Sequence, residues 1–128
     1  DDKGCVIIAL WGVPTANHTN NCCMALRCSV MMKLKAIEYN EIISIGITTG
    51  SVYCGVVGGM TRRDYVAIGH TVNLSARLMC KANGHILIDQ ATQQKLPLSM
   101  MNNLLKVTGL KMKGIIEGTI YFKYISLE

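Results

Sequence analysis

One stretch, residues 44–77, SIGITTGSVYCGVVGGMTRRDYVAIGHTVNLSAR, limits what this chain can fold into. Ile43, Ile45 and Ile47 alternate with Ser44, Gly46 and Thr48, the period of two that marks a strand with one buried face. The pattern resumes at Val52 after Thr49, Gly50 and Ser51, which predicts a hairpin. Gly55, Gly58 and Gly59 close the second strand and permit tight turns or close approach of a ligand to the backbone. A polar, basic loop follows over residues 60–64, then a short strand over 65–68. Residues 69–71 turn the chain into a helix that runs to about Ala82, with Gly84 beyond its end. On such a helix Asn73 and Arg77, four residues apart, project from one face.

The rest of the chain supplies partners for these elements. CVIIALW, residues 5–11, is a continuous apolar run between Gly4 and Gly12 and predicts a buried strand. Residues 12–21 form a loop, and Thr19, Asn20 or Asn21 caps the helix that follows. That helix runs over residues 22–39. Leu26, Val30, Leu34 and Ile37 recur at helical spacing as the stripe that covers a sheet, while Lys33, Lys35 and Glu38 supply a polar side. HILID, residues 85–89, predicts another strand and residues 90–96 a short helix ended by Pro97. Residues 104–108 and 119–125 read as the final strands. The expected class is α+β, with helices on one face of a mainly antiparallel sheet.

Composition narrows the function classes. The chain has 128 residues, half of them hydrophobic, which suits one domain with a real core. A net charge of +5 favours an anionic partner such as a nucleotide. The basic residues are dispersed and few aromatics lie beside them, so nucleic-acid binding is disfavoured. Six cysteines sit mostly in apolar periodic segments, read as small core residues rather than a disulfide framework. With no C-x-x-C pair and with His18, His70 and His85 far apart in sequence, a structural zinc site is not expected. No apolar run approaches a membrane span, and no signal peptide is visible, so the expected setting is reduced and cytoplasmic.

The motifs then carry a resemblance. SIGITTGSVYCGVVG followed by YVAIGHTVNLSARL resembles the class III adenylate/guanylate (nucleotidyl) cyclase catalytic domain, whose pattern is IGIxxGxVxxGxVG and then YxxIGxxVNxAxRL. The likeness covers nearly the whole chain. The DKGC opening, the VNLSAR version of the second motif and the cysteine-rich helix are most similar to the second, C2-like catalytic domain of soluble adenylyl cyclases. The resemblance implies a ferredoxin-like cyclase fold, truncated at its N-terminus, over residues 1–128. It also implies adenylate cyclase (lyase) chemistry in intracellular signalling, in which the ribose 3′-hydroxyl of ATP attacks the α-phosphate and pyrophosphate leaves, giving cyclic AMP. In this family the active site lies between two catalytic domains. One holds two metal-binding aspartates and the other an asparagine and an arginine, which Asn73 and Arg77 match. Asn73 would orient the ribose, and Arg77 would neutralise charge on the transferring phosphate. Lys113 would reach the polyphosphate, and the lysine that meets the purine is Lys3 or one upstream of this chain.

The departures shape the expectation. Gly4-Cys5 stands where the family has Gly-Asp, and a thiol is a poor ligand for magnesium. No residue is therefore assigned to metal, and Mg²⁺ or Mn²⁺ would come with a C1-like partner domain in the same or another chain. Val66 occupies the position that meets the adenine and has no hydrogen-bonding atom. A cyclase-homology module that pairs without turnover is the alternative reading. A ferredoxin-like RNA-binding domain is a third, resting on Tyr53 and on Tyr121 or Phe122 as stacking platforms.

Overall fold

The computed structural model describes residues 5–12, 20–50, 53–57, 64–112 and 118–125, with 53–57 and 64–68 described by their backbone. In chain order the elements are α1 (Asn21–Glu38), β1 (Ile45–Ile47), β2 (Tyr53–Val57), β3 (Asp64–Ile68), α2 (His70–Lys81), β4 (Ile86–Asp89), α3 (Gln90–Gln93), α4 (Leu98–Met101), β5 (Leu104–Val107) and β6 (Tyr121–Tyr124). Four strands form one sheet in the order β1-β4-β6-β5, and β2 and β3 form a separate pair. Among the described strands only β1 and β4 run parallel. The others pair antiparallel, so the fold is the α+β, mainly antiparallel class expected.

The pairing of β1 differs from the sequence expectation. Ile45 registers with Ile86 and Ile47 with Ile88, some forty residues on. The hairpin belongs instead to β2 and β3, in which Tyr53 faces Ile68 and Val57 faces Asp64. Alternation identified the strand correctly but carries no record of its partner. A second difference lies at residues 5–11. They join no strand among the described residues, and Val6, Ile7 and Ile8 are exposed. An apolar run becomes a buried strand only when an open sheet edge takes up its backbone groups.

The strands of the sheet present different residues to its two faces. Ile47, Ile86 and Ile88 pack with Ala25 and Leu26 of α1 and with Leu96; Met100, Met101, Leu104, Phe122 and Tyr124 fill in around them. Leu87 and Tyr121 point the other way, onto Leu78 and Ala82 of α2. Helix α1 thus takes one face of the sheet and α2 the opposite one, where the sequence pattern predicts helices on a single face. Successive strand residues such as Leu87 and Ile88 are both apolar and bury both faces. Leu26, Leu78 and Ile88 are fully buried, which contributes about 2 kcal/mol each. The stripe on α1 is buried only in its first half. Leu34 and Ile37 are exposed.

Helix α1 begins at Asn20, whose side chain makes no capping bond, and ends where Asn40 takes a left-handed turn (φ 59°). Helix α2 ends similarly at Asn83 and Gly84 (φ 49° and 84°). Gly84 is then gripped from two sides. Its N–H donates to Ser44 Oγ at 2.8 Å, and its carbonyl accepts from Lys33 Nζ at 2.6 Å. These bonds fix the α2–β4 turn to α1 and to the approach of β1.

Gly46 marks where strand and helix come closest. A Cβ there would collide with the backbone carbonyl of Ser75 and lie 2.7 Å from the Met79 nitrogen. Gly46→Ala is expected to destabilise the fold by about 2 kcal/mol through overpacking, read as a lower urea midpoint. An unchanged midpoint would show that α2 does not sit this close.

Candidate functional site

The candidate site is built on α2, and the helix is placed by what its other side packs on. Leu74, Leu78 and Ala82 recur at four-residue spacing and face the sheet with Leu87 and Tyr121. Asn73 and Arg77 each precede a member of this stripe, so they fall beside it. Asn73 is exposed and Arg77 half-buried. The helix therefore displays an amide and a guanidinium one turn apart at the margin of a packed face. Among the described residues the guanidinium has no ion-pair partner, since the salt bridge found there joins Lys35 and Glu38.

Helix α2 enters from Gly69 at φ 149°, a backbone setting that favours glycine. No side-chain oxygen caps its first turn. Support comes from beyond β1 instead. Thr48 Oγ1 donates to the Thr71 carbonyl at 2.7 Å, and a Cβ at Gly50 would displace Thr71 Oγ1.

Next to this support runs a buried polar network. Asp89 caps α3, its Oδ1 accepting from the Thr92 N–H at 2.9 Å and from the Thr92 hydroxyl at 2.5 Å. Thr92 and Thr49 share a hydrogen bond of 2.8 Å between hydroxyls, and Thr49 lies 3.2 Å from Cys22 Sγ. The Asp89 carboxylate is thus committed to holding elements together. Burial, then the charge of Asp89, pushes the Tyr121 phenol above its ordinary range.

Other residues singled out in the sequence fall away from α2 or outside the description. Lys3, Lys113, Arg62 and Arg63 lie outside the described residues, as does the Val66 side chain; the Val66 backbone pairs with Gly55. Cys5 is exposed, with a free thiol. Among the described residues no group of three His, Cys, Asp or Glu side chains could hold a metal ion. Cys5, at the position where the family pattern carries an aspartate, offers a thiol, whereas magnesium takes oxygen ligands. Tyr121 is 1% exposed, and Phe122 and Tyr124 pack into the core on the α1 side, so these aromatics offer no stacking platform for bases. Tyr53 is described by its backbone alone. No described helix is long and apolar enough to cross a membrane.

An open groove of about 290 Å³ lies elsewhere, lined by Lys33, Ile37, Glu41, Ile42, Ile43, Asn83 and Gly84. It includes neither Asn73 nor Arg77. Sequence reasoning missed Thr48. The signal was present, because Gly46, Thr48 and Gly50 put three small residues on one side of the chain, as a closely packed helix requires.

The four-stranded sheet with a helix on each face, the β2–β3 pair and α2 together define a nucleotidyl cyclase fold. The catalytic core of a rhodopsin-guanylyl cyclase with converted specificity superposes with a TM-score of 0.74 at 20% identity, over 90% of this chain and 64% of that one. Adenylyl cyclase CyaB from P. aeruginosa gives 0.63 at 21% identity, over 90% of this chain and 65% of that one. Residues 4–124 match the family of adenylate and guanylate cyclase catalytic domains, and the chain belongs to that family. Adenylate cyclase type 10 of Homo sapiens is 32% identical over 127 residues, 96% of this chain. The chain spans 8% of the length of that relative, and of its counterpart in Rattus norvegicus.

One electrostatic feature of the frame is open to measurement. His85, at the start of β4, is exposed at its outer edge, yet desolvation, then the charges of Lys123 and Lys33, lower its pKa. Positive neighbours disfavour the imidazolium, so its titration midpoint is expected below the ordinary histidine value. Lys123→Gln should raise that midpoint in an NMR titration. A midpoint that stays put would remove Lys123 as a cause.

Proposed function

We propose that this chain is the C2-like half of an adenylyl cyclase, forming cyclic AMP and pyrophosphate from ATP in a site shared with a metal-bearing C1-like domain. The observation that carries the reading is the pair Asn73 and Arg77. They stand one turn apart on α2, the first exposed and the second half-buried, beside a stripe packed on the sheet. Membership of the cyclase family and the adenylate cyclase relatives support the reaction class and ATP as substrate. Support for a partner-held metal comes from Cys5 at the family's aspartate position, since a thiol is a poor ligand for magnesium.

In this reading the Asn73 amide orients the ribose, so that its 3′-oxygen faces the α-phosphorus. The new bond forms between those two atoms as the 3′-hydroxyl gives up its proton to solvent, and the bond to the bridging oxygen breaks as pyrophosphate leaves. Arg77 supplies fixed donors to the phosphate oxygens as charge builds there, an interaction strengthened where water is scarce. Lys113 serves the polyphosphate, and Lys3 or an upstream lysine serves the purine. Magnesium or manganese enters with the C1-like domain, in the same or another chain.

A second reading rests on Cys5 and Val66: a cyclase-homology module that pairs and binds nucleotide without turnover. Nucleotide binding by the paired domains with no product would select it.

Arg77→Ala in the paired core is expected to lower kcat by roughly a hundredfold or more, as removal of one transition-state donor does. The circular dichroism spectrum should stay unchanged, since Arg77 takes no part in the packed stripe. Retention of wild-type kcat by folded Arg77→Ala would overturn the assignment.

A further inference from the structure

Asn73 and Arg77 can act together only if α2 is held at a fixed height and angle, and its own sequence does not hold it at the start. Its first turn lacks a side-chain cap and follows a glycine at φ 149°. Among the contacts with the β1 region that help set its place, two bear on the functional pair. Towards the C-terminal half, Gly46 meets the helix backbone at Ser75 and Met79. At the first turn, the Thr48 hydroxyl donates to the Thr71 carbonyl at 2.7 Å. With a rise of about 1.5 Å per residue, Asn73 lies about 3 Å and Arg77 about 9 Å along the axis from Thr71. The first contact therefore acts as a pivot close to Arg77, and the second as a tether close to Asn73.

We infer that Thr48 is a positioning residue for the reaction: its hydrogen bond to Thr71 sets the N-terminal end of α2, and with it the reach of Asn73 to the ribose. The inference rests on the roles given above to Asn73 and Arg77. In this role Thr48 acts through α2 rather than on the nucleotide itself. It acts by stopping the first turn from tilting about Gly46. The consequence is uneven, because a tilt about that point displaces Asn73 more than Arg77. Reaction rates are sensitive to shifts of this kind, with a 1 Å misplacement costing on the order of a hundredfold.

Two substitutions separate this from simple loss of structure. Thr48→Val keeps the shape and removes the donor, whereas Thr48→Ser keeps the donor. In the paired core with ATP, Thr48→Val should lower kcat about tenfold, with KM within about twofold, since the loss falls on the transition state. Thr48→Ser should restore kcat to near wild type. In an Asn73→Ala background, Thr48→Val should cost little more, because the residue it positions is gone. Rates are taken per folded protein. Unchanged kcat in Thr48→Val, while Asn73→Ala and Arg77→Ala remain impaired, would overturn the positioning role and leave the catalytic assignment intact. A loss that Thr48→Ser fails to rescue, or one fully additive with Asn73→Ala, would overturn it as well. Full activity of Asn73→Ala and Arg77→Ala would overturn the assignment underneath.

Discussion

Strand β1 and helix α2 meet at Gly46 with no room for a side chain between them, and much of the molecule follows from that contact. Its closeness puts Leu78 and Ala82 within reach of Leu87 and Tyr121 and closes the core on that face of the sheet. On the other face Ile45 and Ile47 remain free to pack against α1. A strand with glycine towards one helix and isoleucine towards the other can carry two layers at different distances. The layer with the smaller spacing is the one that carries Asn73 and Arg77.

Polar groups in the described residues divide between holding the frame and standing clear of it. Asp89, Thr92 and Thr49 bind one another where β4 turns into α3, and Lys33, Ser44 and Gly84 tie α1 to the end of α2. Such buried or half-buried polar groups are stable because each has a partner. Asn73 and Arg77 take no part in these networks. The Arg77 guanidinium is half-buried beside the packed stripe. The positive surroundings of His85 belong to the opposite end of α2 and serve the frame rather than this pair.

How far the sequence could be read depended on whether a signal was local. The start of α2 at Gly69, its end near Gly84, and β3 and β4 were legible because glycines and apolar periods mark them directly. The placement of Asn73 and Arg77 on one helix was legible from their spacing, and the motif around them is what proposes a role for the pair. The pairing of β1 was not legible, since its partner Ile86–Asp89 lies beyond a hairpin and a helix. The same limit applies to residues 5–11, whose composition is that of a strand but whose exposure depends on which backbone lies alongside. Leu34 and Ile37 keep the helical period yet stay exposed. Thr48 was passed over because a threonine on a strand is ordinary until the helix above it is seen.

The account makes this chain half of a site: an amide and a guanidinium set on a tightly seated helix, with metal-binding carboxylates to come from elsewhere. Its central claim is complementarity, and the most direct test is the initial rate of cyclic AMP formation as the chain is titrated into a fixed amount of a metal-bearing C1-like cyclase domain with ATP and manganese. The account predicts a rate that rises and saturates with added chain, while neither component alone makes product. Absence of cyclic AMP from the mixture despite demonstrable pairing, or full turnover by this chain alone, would contradict it.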